Sequence, residues 1–360
     1  MSDDMDKVLD SLKEKNVKSK PVQKKKDPII ASGLDCGTMN LCFSRSDKDD
    51  ITITRNMFLK LDSDEISKSD LRDISFVEMD GNVYIIGEDS FRMANIFNKK
   101  VSRPMEKGMI SPKEIDAIDV LTIIVKNLFG DIKDKEIYCS YSVPAEAIDL
   151  ERSVTYHEKV FSRILGNIGV NHKSINESMA IVFAECEKEN YTGIGISFGA
   201  GMCNVACSYK GVEVFKFATT RSGDWIDMNV AQSLNLTQNR VTNIKEKYLD
   251  LSKDFMENPN KKTRRTLEAL HYYYFAMIGY TIKNIIKQFE QKFDLELDEE
   301  LPIIVSGGTS LAGGFLQLFK DSIGEFGLPF EVSEIRQPKN PLTCVSQGLL
   351  VKTLADLSVK

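Results

Sequence analysis

Three short stretches of the chain carry residue types suited to holding a phosphate. The first is Asp35-Cys36-Gly37-Thr38, set between an apolar run entering at Pro28-Ile-Ile-Ala31 and another leaving through Leu41-Cys-Phe43. A turn signal between strand-like residues predicts a β-hairpin with a carboxylate, a glycine and a hydroxyl at its tip. Gly37 lets backbone N–H groups approach an anion closely. Thr38 can donate a hydrogen bond, and Asp35 suits a hydrated Mg²⁺, a hard ion that takes oxygen ligands. So short a stretch also fits an ordinary tight turn. The second stretch, Ile194-Gly-Ile-Ser197-Phe-Gly199-Ala200-Gly201 and its continuation to Cys207, repeats the layout of strand, glycine tip and strand. The third, Leu301-Pro-Ile-Ile-Val-Ser306-Gly307-Gly308-Thr309-Ser310, delivers a glycine turn after a buried strand. Three such turns, far apart in the chain, bring loops to a sheet edge, where ligands of α/β folds gather. The echo between the first two predicts similar halves facing each other across a cleft.

The elements that must position these tips follow from periodicity and punctuation. Residues 51–60 read as a strand, 83–87 as another, and the region between as part of a small α+β insertion. Ser111 and Pro112 predict a helix running to Leu128. Glu136–Pro144 reads as a buried strand, 145–165 as a long helix and 170–175 as a short strand or loop. Asn176-Glu177 opens a helix to Glu185. Helices are also predicted from Thr220, over 237–248, over 263–293 and after Asn340, and Phe330-Glu-Val returns to the sheet. Residues 1–27 read as a tail: a solvated extension, or a short amphipathic helix followed by the basic run 18–26, able to dock on a partner or an anionic membrane.

The totals set bounds. A chain of 360 residues exceeds one compact core and predicts two domains. A formal net charge of −6 argues against a nucleic-acid-binding surface. No apolar run approaches the roughly 18 residues of a membrane span, and no apolar signal core follows Met1, which points to the cytoplasm. The seven cysteines are scattered; Cys203 and Cys207 have no second Cys/His pair nearby to complete a zinc site. His157, His172 and His271 share no metal-binding spacing and read as surface or core residues. Trp225 and the Tyr272–Phe275 run read as packing.

From about Pro28 onward the sequence resembles the actin superfamily, and most closely the bacterial actins, the MreB, MamK and ParM group. Gly33-Leu-Asp35-Cys-Gly37-Thr38 is similar to the first phosphate loop, Ser197–Gly201 occupies the second, and Ile304–Ser310 with Gly313-Gly314 resembles the adenosine loop. Arg103-Pro-Met-Glu-Lys-Gly108, Ser142-Val-Pro144, Ser222-Gly223-Asp224-Trp225-Ile-Asp227 and Asn340–Val345 are similar to the MreB side.

The resemblance implies an α/β, actin-like fold of two ribonuclease H-like duplicated domains with a nucleotide cleft between them. Domain I is expected at 28–172 plus 331–360, with a small insertion at about 51–94. Domain II is expected at 173–330, with a small subdomain at about 223–264. It implies ATP and Mg²⁺ as cofactors, with Asp35 facing the metal through water and Glu177 orienting the attacking water. The phosphates would lie on Gly37, Thr38, Met39, Asn40, Ser197, Gly199, Ala200 and Gly201. Asp224, Lys245, Gly307, Gly308, Thr309 and Ser310 would complete the nucleotide site. The implied function is an ATP-hydrolysing cytoskeletal protein that polymerises with itself head to tail. The chain departs from the family where Ser197 replaces an aspartate of the second loop, where Ala200 and Met202 replace glycine and threonine, and where no ribose-contacting glutamate stands near Thr242 or Asn243. A non-polymerising ATP-sensing scaffold, a chaperone-type ATPase and a sugar or acetate kinase are the alternatives.

Overall fold

The computed structural model describes residues 28–67, 71–97, 99–258, 260–292 and 299–359; the expected tail, 1–27, lies outside them. Its strands are β1 (Ile29–Cys36), β2 (Asn40–Arg45), β3 (Thr52–Arg55), β4 (Phe58–Asp62), β5 (Phe76–Met79), β6 (Asn82–Ile86), β7 (Met105–Glu106) and β8 (Met109–Ile110). They continue with β9 (Glu136–Val143), β10 (Asn171–Asn176), β11 (Gly193–Phe198), β12 (Cys203–Tyr209), β13 (Val212–Thr219), β14 (Ile303–Ser306) and β15 (Ile335–Arg336).

Two five-stranded sheets carry the molecule, ordered β10-β9-β1-β2-β3 and β13-β12-β11-β14-β15. Each is built around an antiparallel hairpin whose first strand also runs parallel to a later one. β1 pairs with β2 and β9, and β11 pairs with β12 and β14. The central strands are covered on both faces, so β1 and β11 read as apolar runs without alternation. The first core gathers Leu34, Phe43, Val120, Phe129, Tyr141 and Phe161. The second gathers Ile196, Phe198, Phe217, Ile278, Val305 and Phe319 under the long helix Lys261–Lys292.

Between the sheets lie two helices, Glu177–Glu185 and Cys344–Ser358, which pack on each other. Gly348 has no room for a Cβ because the Ala180 carbonyl occupies its place, and Gly33 is closed in the same way by the Ser346 carbonyl. Apolar side chains from both helices, Ala180, Ile181, Val345 and Leu349 among them, share one cluster with Ile304 of the second sheet. The last helix thus seats the first sheet against the second.

Four elements differ from the sequence reading. The predicted strand 51–60 is two strands, broken at Asn56. That buried residue turns inward, its amide donating to the Gly37 carbonyl at 3.0 Å and its backbone N–H to Met39 at 2.8 Å. β3 joins the main sheet, while β4 begins the small β4-β6-β5 sheet. The helix expected from Pro112 starts at Ala117, after a tight turn in which Ser111 accepts from the Lys113 N–H. The helix expected over 145–165 spans only Thr155–Asn167. Residues 145–148 cannot join it, because Ala218 of β13 donates to the Glu146 carbonyl at 3.0 Å and accepts from the Ile148 N–H at 2.9 Å. The return expected at Phe330 comes later, as β15, although Glu331 already accepts a 2.9 Å bond from Leu301 N–H.

Candidate functional site

The β1–β2 and β11–β12 tips face each other. The first, Gly37–Met39, is anchored from below by Asn56. In the second, the carbonyls are tied outward. Gly199 O accepts from Thr309 Oγ1 at 2.8 Å and from Gly223 N–H at 3.1 Å, and Ala200 O accepts from Ser222 Oγ at 2.6 Å and Asp224 N–H at 2.8 Å. With those carbonyls held, the N–H groups of the tip are left for something else. Among the described residues no hydrogen bond occupies the N–H of Thr38, Met39, Ala200 or Gly201. The tips also touch. Gly201 has no room for a Cβ because the Thr38 side chain and the Gly108 backbone stand there, and Thr38 Oγ1 accepts from Gly108 N–H at 3.1 Å.

The third turn presses against the second loop. Gly307 has φ +92°, and its Cβ position is filled by the Phe198 backbone, so only glycine fits. Gly308, its neighbour, is different: a Cβ there would meet only Leu342 Cδ1, at 3.7 Å.

The three turns enclose a cleft of 530 Å³, within the range of small-molecule sites. Its lining contains Asp35, Gly37, Thr38, Met39, Asn40, Glu177, Ser197, Gly199, Ala200, Gly201, Asp224, Lys245, Gly307, Gly308 and Thr309. Ser310 lies outside the lining, buried, with its hydroxyl donating to the Gly307 carbonyl at 2.8 Å, so it shapes the turn from behind.

At the cleft floor sit two carboxylates. Asp35 accepts from Ser142 Oγ at 2.9 Å, and that oxygen in turn accepts from the Cys36 N–H at 2.7 Å. Glu177 accepts from Asn204 Nδ2 at 2.9 Å. Burial pushes both carboxyls well above the usual range, and the Asp35 charge raises Glu177 further; the hydroxyls of Ser142 and Ser197 act the other way on Asp35 and Glu177 respectively. Neither carboxylate forms a salt bridge with a basic side chain among the described residues. Two half-buried acids held only by neutral donors fit a hydrated divalent cation, which Mg²⁺ sites typically build from one or two carboxylates plus substrate oxygens. Among the described residues no three acidic, histidine or cysteine groups gather into a closed metal cage.

Two expected contact residues already have partners. Arg103, outside the lining, meets the cleft-lining Asp224 through both terminal nitrogens, at 3.1 and 2.9 Å. Lys245 lies 2.8 Å from Asp227, which also accepts from Thr242 Oγ1 at 2.7 Å. On the same helix, Gln238–Tyr248, a carboxylate does line the cleft: Glu246, with Thr242 four residues before it. The i, i+4 spacing puts the two on one helix face. Asn56, Ser142, Asn204 and Arg103 also escaped the residue-level reading. Ser142 and Arg103 lie in quoted motifs, whereas nothing local marks Asn56 or Asn204. All seven cysteines are buried and free, and Trp225 packs edge-on against Tyr273 at 5.4 Å.

The sequence profile of a family described as Volactin matches residues 30–353. Among solved structures, a MamK double helical filament superposes with a TM-score of 0.66 at 16% identity, over 91% of this chain and 99% of that one. MreB5 of Spiroplasma citri bound to ADP gives 0.63 at 15% identity, over 92% and 97%. The ethanolamine utilization protein EutJ from Carboxydothermus hydrogenoformans gives 0.51 at 17%, over 90% of each. These likenesses show an actin-like two-domain fold. The comparison with curated protein sequences finds no match.

Proposed function

The chain belongs to the Volactin family, and we propose that it is an actin-like cytoskeletal protein that binds Mg–ATP in the cleft, hydrolyses it and assembles head to tail into filaments. The observation that carries this reading is the pairing of four unoccupied backbone N–H groups, at Thr38, Met39, Ala200 and Gly201, with two half-buried carboxylates in the same cleft. N–H groups on facing tips suit the β- and γ-phosphates of a triphosphate. Related folds support the ligand: the MreB5 structure holds ADP, and a non-polymerising MamK mutant holds AMPPNP. The halves we assign are 28–172 with 331–360, and 173–330, and the setting is the cytoplasm.

In this reading Asp35 would hold Mg²⁺ through water, and the bound ion would supply charge neutralisation at the phosphate oxygens. Ser142 keeps the Asp35 carboxylate turned into the cleft. Glu177 accepts a hydrogen bond from the attacking water and aligns it with the γ-phosphorus. The new O–P bond forms as the bond to the ADP oxygen breaks, and the water proton passes toward the Glu177 carboxylate. Gly308, open on its cleft side, lets adenosine lie against the backbone, and Glu246 can accept from ribose hydroxyls. Cleft closure over the nucleotide then sets the relative angle of the halves, which a head-to-tail repeat reads as assembly competence.

One observation favours a second reading. Ser197 and Ala200 put no carboxylate on the second loop, so the chain could bind ATP and turn it over too slowly to drive a polymer, serving as an ATP-sensing scaffold. ATP turnover and right-angle light scattering decide. The first reading predicts turnover and scattering with ATP, and loss of turnover in Asp35→Ala and Glu177→Ala. Binding without scattering selects the scaffold, and turnover unaffected by either substitution overturns the roles assigned.

A further inference from the structure

We infer that Asn204 is the positioning residue for Glu177, and that through it the water-orienting carboxylate is tied to the segment crossing between the two sheets. The inference rests on the reading of the cleft as an ATPase site.

Glu177 stands at the first position of its helix, where Asn176 caps by accepting from the N–H groups of Ser178 and Met179 at 3.0 and 3.2 Å. The cap fixes the Glu177 backbone and leaves a long side chain free to rotate. Asn204 Nδ2 holds it, at 2.9 Å from Oε2. The orientation of that amide is not arbitrary. Asn204 Oδ1 accepts the backbone N–H of Ala145 at 2.9 Å, and an N–H can only donate, so the amide nitrogen must face Glu177. Asn204 is 1% exposed, and its two polar atoms are committed within the protein.

Its partners come from different parts of the molecule. Ala145 stands two residues past the end of β9 of the first sheet, and the next residues bond to β13 of the second sheet through Glu146, Ile148 and Ala218. Asn204 itself sits on β12, opposite Ser197 on one side and Ala218 on the other. The bonds of Glu146 and Ile148 to Ala218 keep Ala145 with the second sheet, whereas Glu177 directly follows β10 of the first, so a change in the angle between the sheets moves Glu177 relative to β12 and bears on the Asn204 amide. An aspartate or a leucine here would fill similar space, but only an amide can accept from Ala145 while donating to a carboxylate. Positioning partners of this kind typically change activity by about 10–100-fold when removed.

The test is a double-mutant cycle on the full chain, read as kcat and KM for ATP with ADP affinity and thermal midpoint recorded beside them. Asn204→Ala should lower kcat about 10–100-fold while KM and ADP affinity stay within about threefold, the pattern of an interaction made in the transition state. In a Glu177→Gln background the same substitution should cost nothing further. A purely structural Asn204 would give multiplicative losses in the cycle, or losses of ADP affinity in step with kcat, and either result overturns the inference. Asn204→Asp keeps the acceptor for Ala145 and removes the donor to Glu177. It should lose kcat as Asn204→Ala does, and wild-type turnover in it would leave only the Ala145 anchor and overturn the inference. If Asn204→Asp does not fold, the cycle with Asn204→Ala decides. Absence of turnover in the unaltered protein overturns the ATPase reading itself, an outcome distinct from the others.

Discussion

Gly308→Ala separates what the fold needs from what the ligand needs. Around the cleft, most glycines are demanded by the protein: Gly201 by Thr38 and Gly108, Gly307 by its φ of +92° and the Phe198 backbone. Gly308 is under no such demand. A Cβ there meets only Leu342 Cδ1 at 3.7 Å, ordinary van der Waals contact, and its backbone lies outside the left-handed region. Replacing such a glycine restricts the unfolded chain and stabilises the folded one by about 0.4–1 kcal/mol. The bland expectation is therefore a protein slightly more stable and otherwise unchanged. The cleft reading predicts more. If adenosine lies against the Gly308 backbone, the added methyl overpacks that contact, at a cost of about 1–3 kcal/mol, which is about 5- to 150-fold in Kd. Thermal denaturation in the absence of nucleotide and a fluorescent-ATP titration read the two quantities independently. A variant with raised or equal Tm and weakened nucleotide binding fits. Wild-type affinity in Gly308→Ala would refute the placement of adenosine, and a fall in Tm would refute the claim that the protein leaves this space open.

Further outcomes follow from other contacts. Arg103 and the cleft-lining Asp224 pair with side chains 30% and 27% exposed, so the pair contributes only about 0.2–1 kcal/mol. Arg103→Ala should leave Tm nearly unchanged and speed ADP release by up to about fivefold, measured by stopped flow; an unchanged release rate contradicts a role as a latch. Asp35→Asn should raise the Mg²⁺ concentration needed for half-maximal ATP binding by about 10–100-fold, and an unchanged requirement would remove Asp35 from the metal. His157 is 1% exposed, packs against Phe161 at 4.9 Å, and has no hydrogen-bond partner on either ring nitrogen among the described residues. Burial pushes its pKa from 6.5 down to about 3, so below about pH 6.5 the unfolded chain binds a proton that the folded one refuses. Stability is thus lost as pH falls through that window, by about 2 kcal/mol between about pH 7 and pH 5. His157→Leu should flatten that slope in urea denaturation; an equal slope would place the acid sensitivity elsewhere.

The hairpins were legible because their signals are local. Apolar strands flanking a glycine turn specify β1–β2 and β11–β12 without help from the rest of the chain. The crossing segment 145–154 was not legible. Its composition suits a helix, but its backbone bonds go to β13, some 70 residues later, and only the assembled sheet reveals that competition. The break at Asn56 hides for the same reason, since its partners are the Gly37 and Met39 carbonyls. At the site, the loop residues could be read by their types, whereas the residues that hold them could not. Asn204 in Met-Cys-Asn-Val looks like any strand residue until Glu177 and Ala145 are seen on either side of it. The resemblance marks Asp224 by its motif and Lys245 by its helix as ligand contacts, but their ion pairs with Arg103 and Asp227 show only once the helices and the 103–110 segment come together.

The account turns on two loops holding one ligand, and amide hydrogen exchange of Thr38, Met39, Ala200 and Gly201 with and without Mg–AMPPNP tests that most directly. All four N–H groups lack partners among the described residues. The account predicts that they slow together, over one saturation curve, as the nucleotide binds. Protection confined to one loop while nucleotide is bound, or bound nucleotide with neither loop protected, would contradict it.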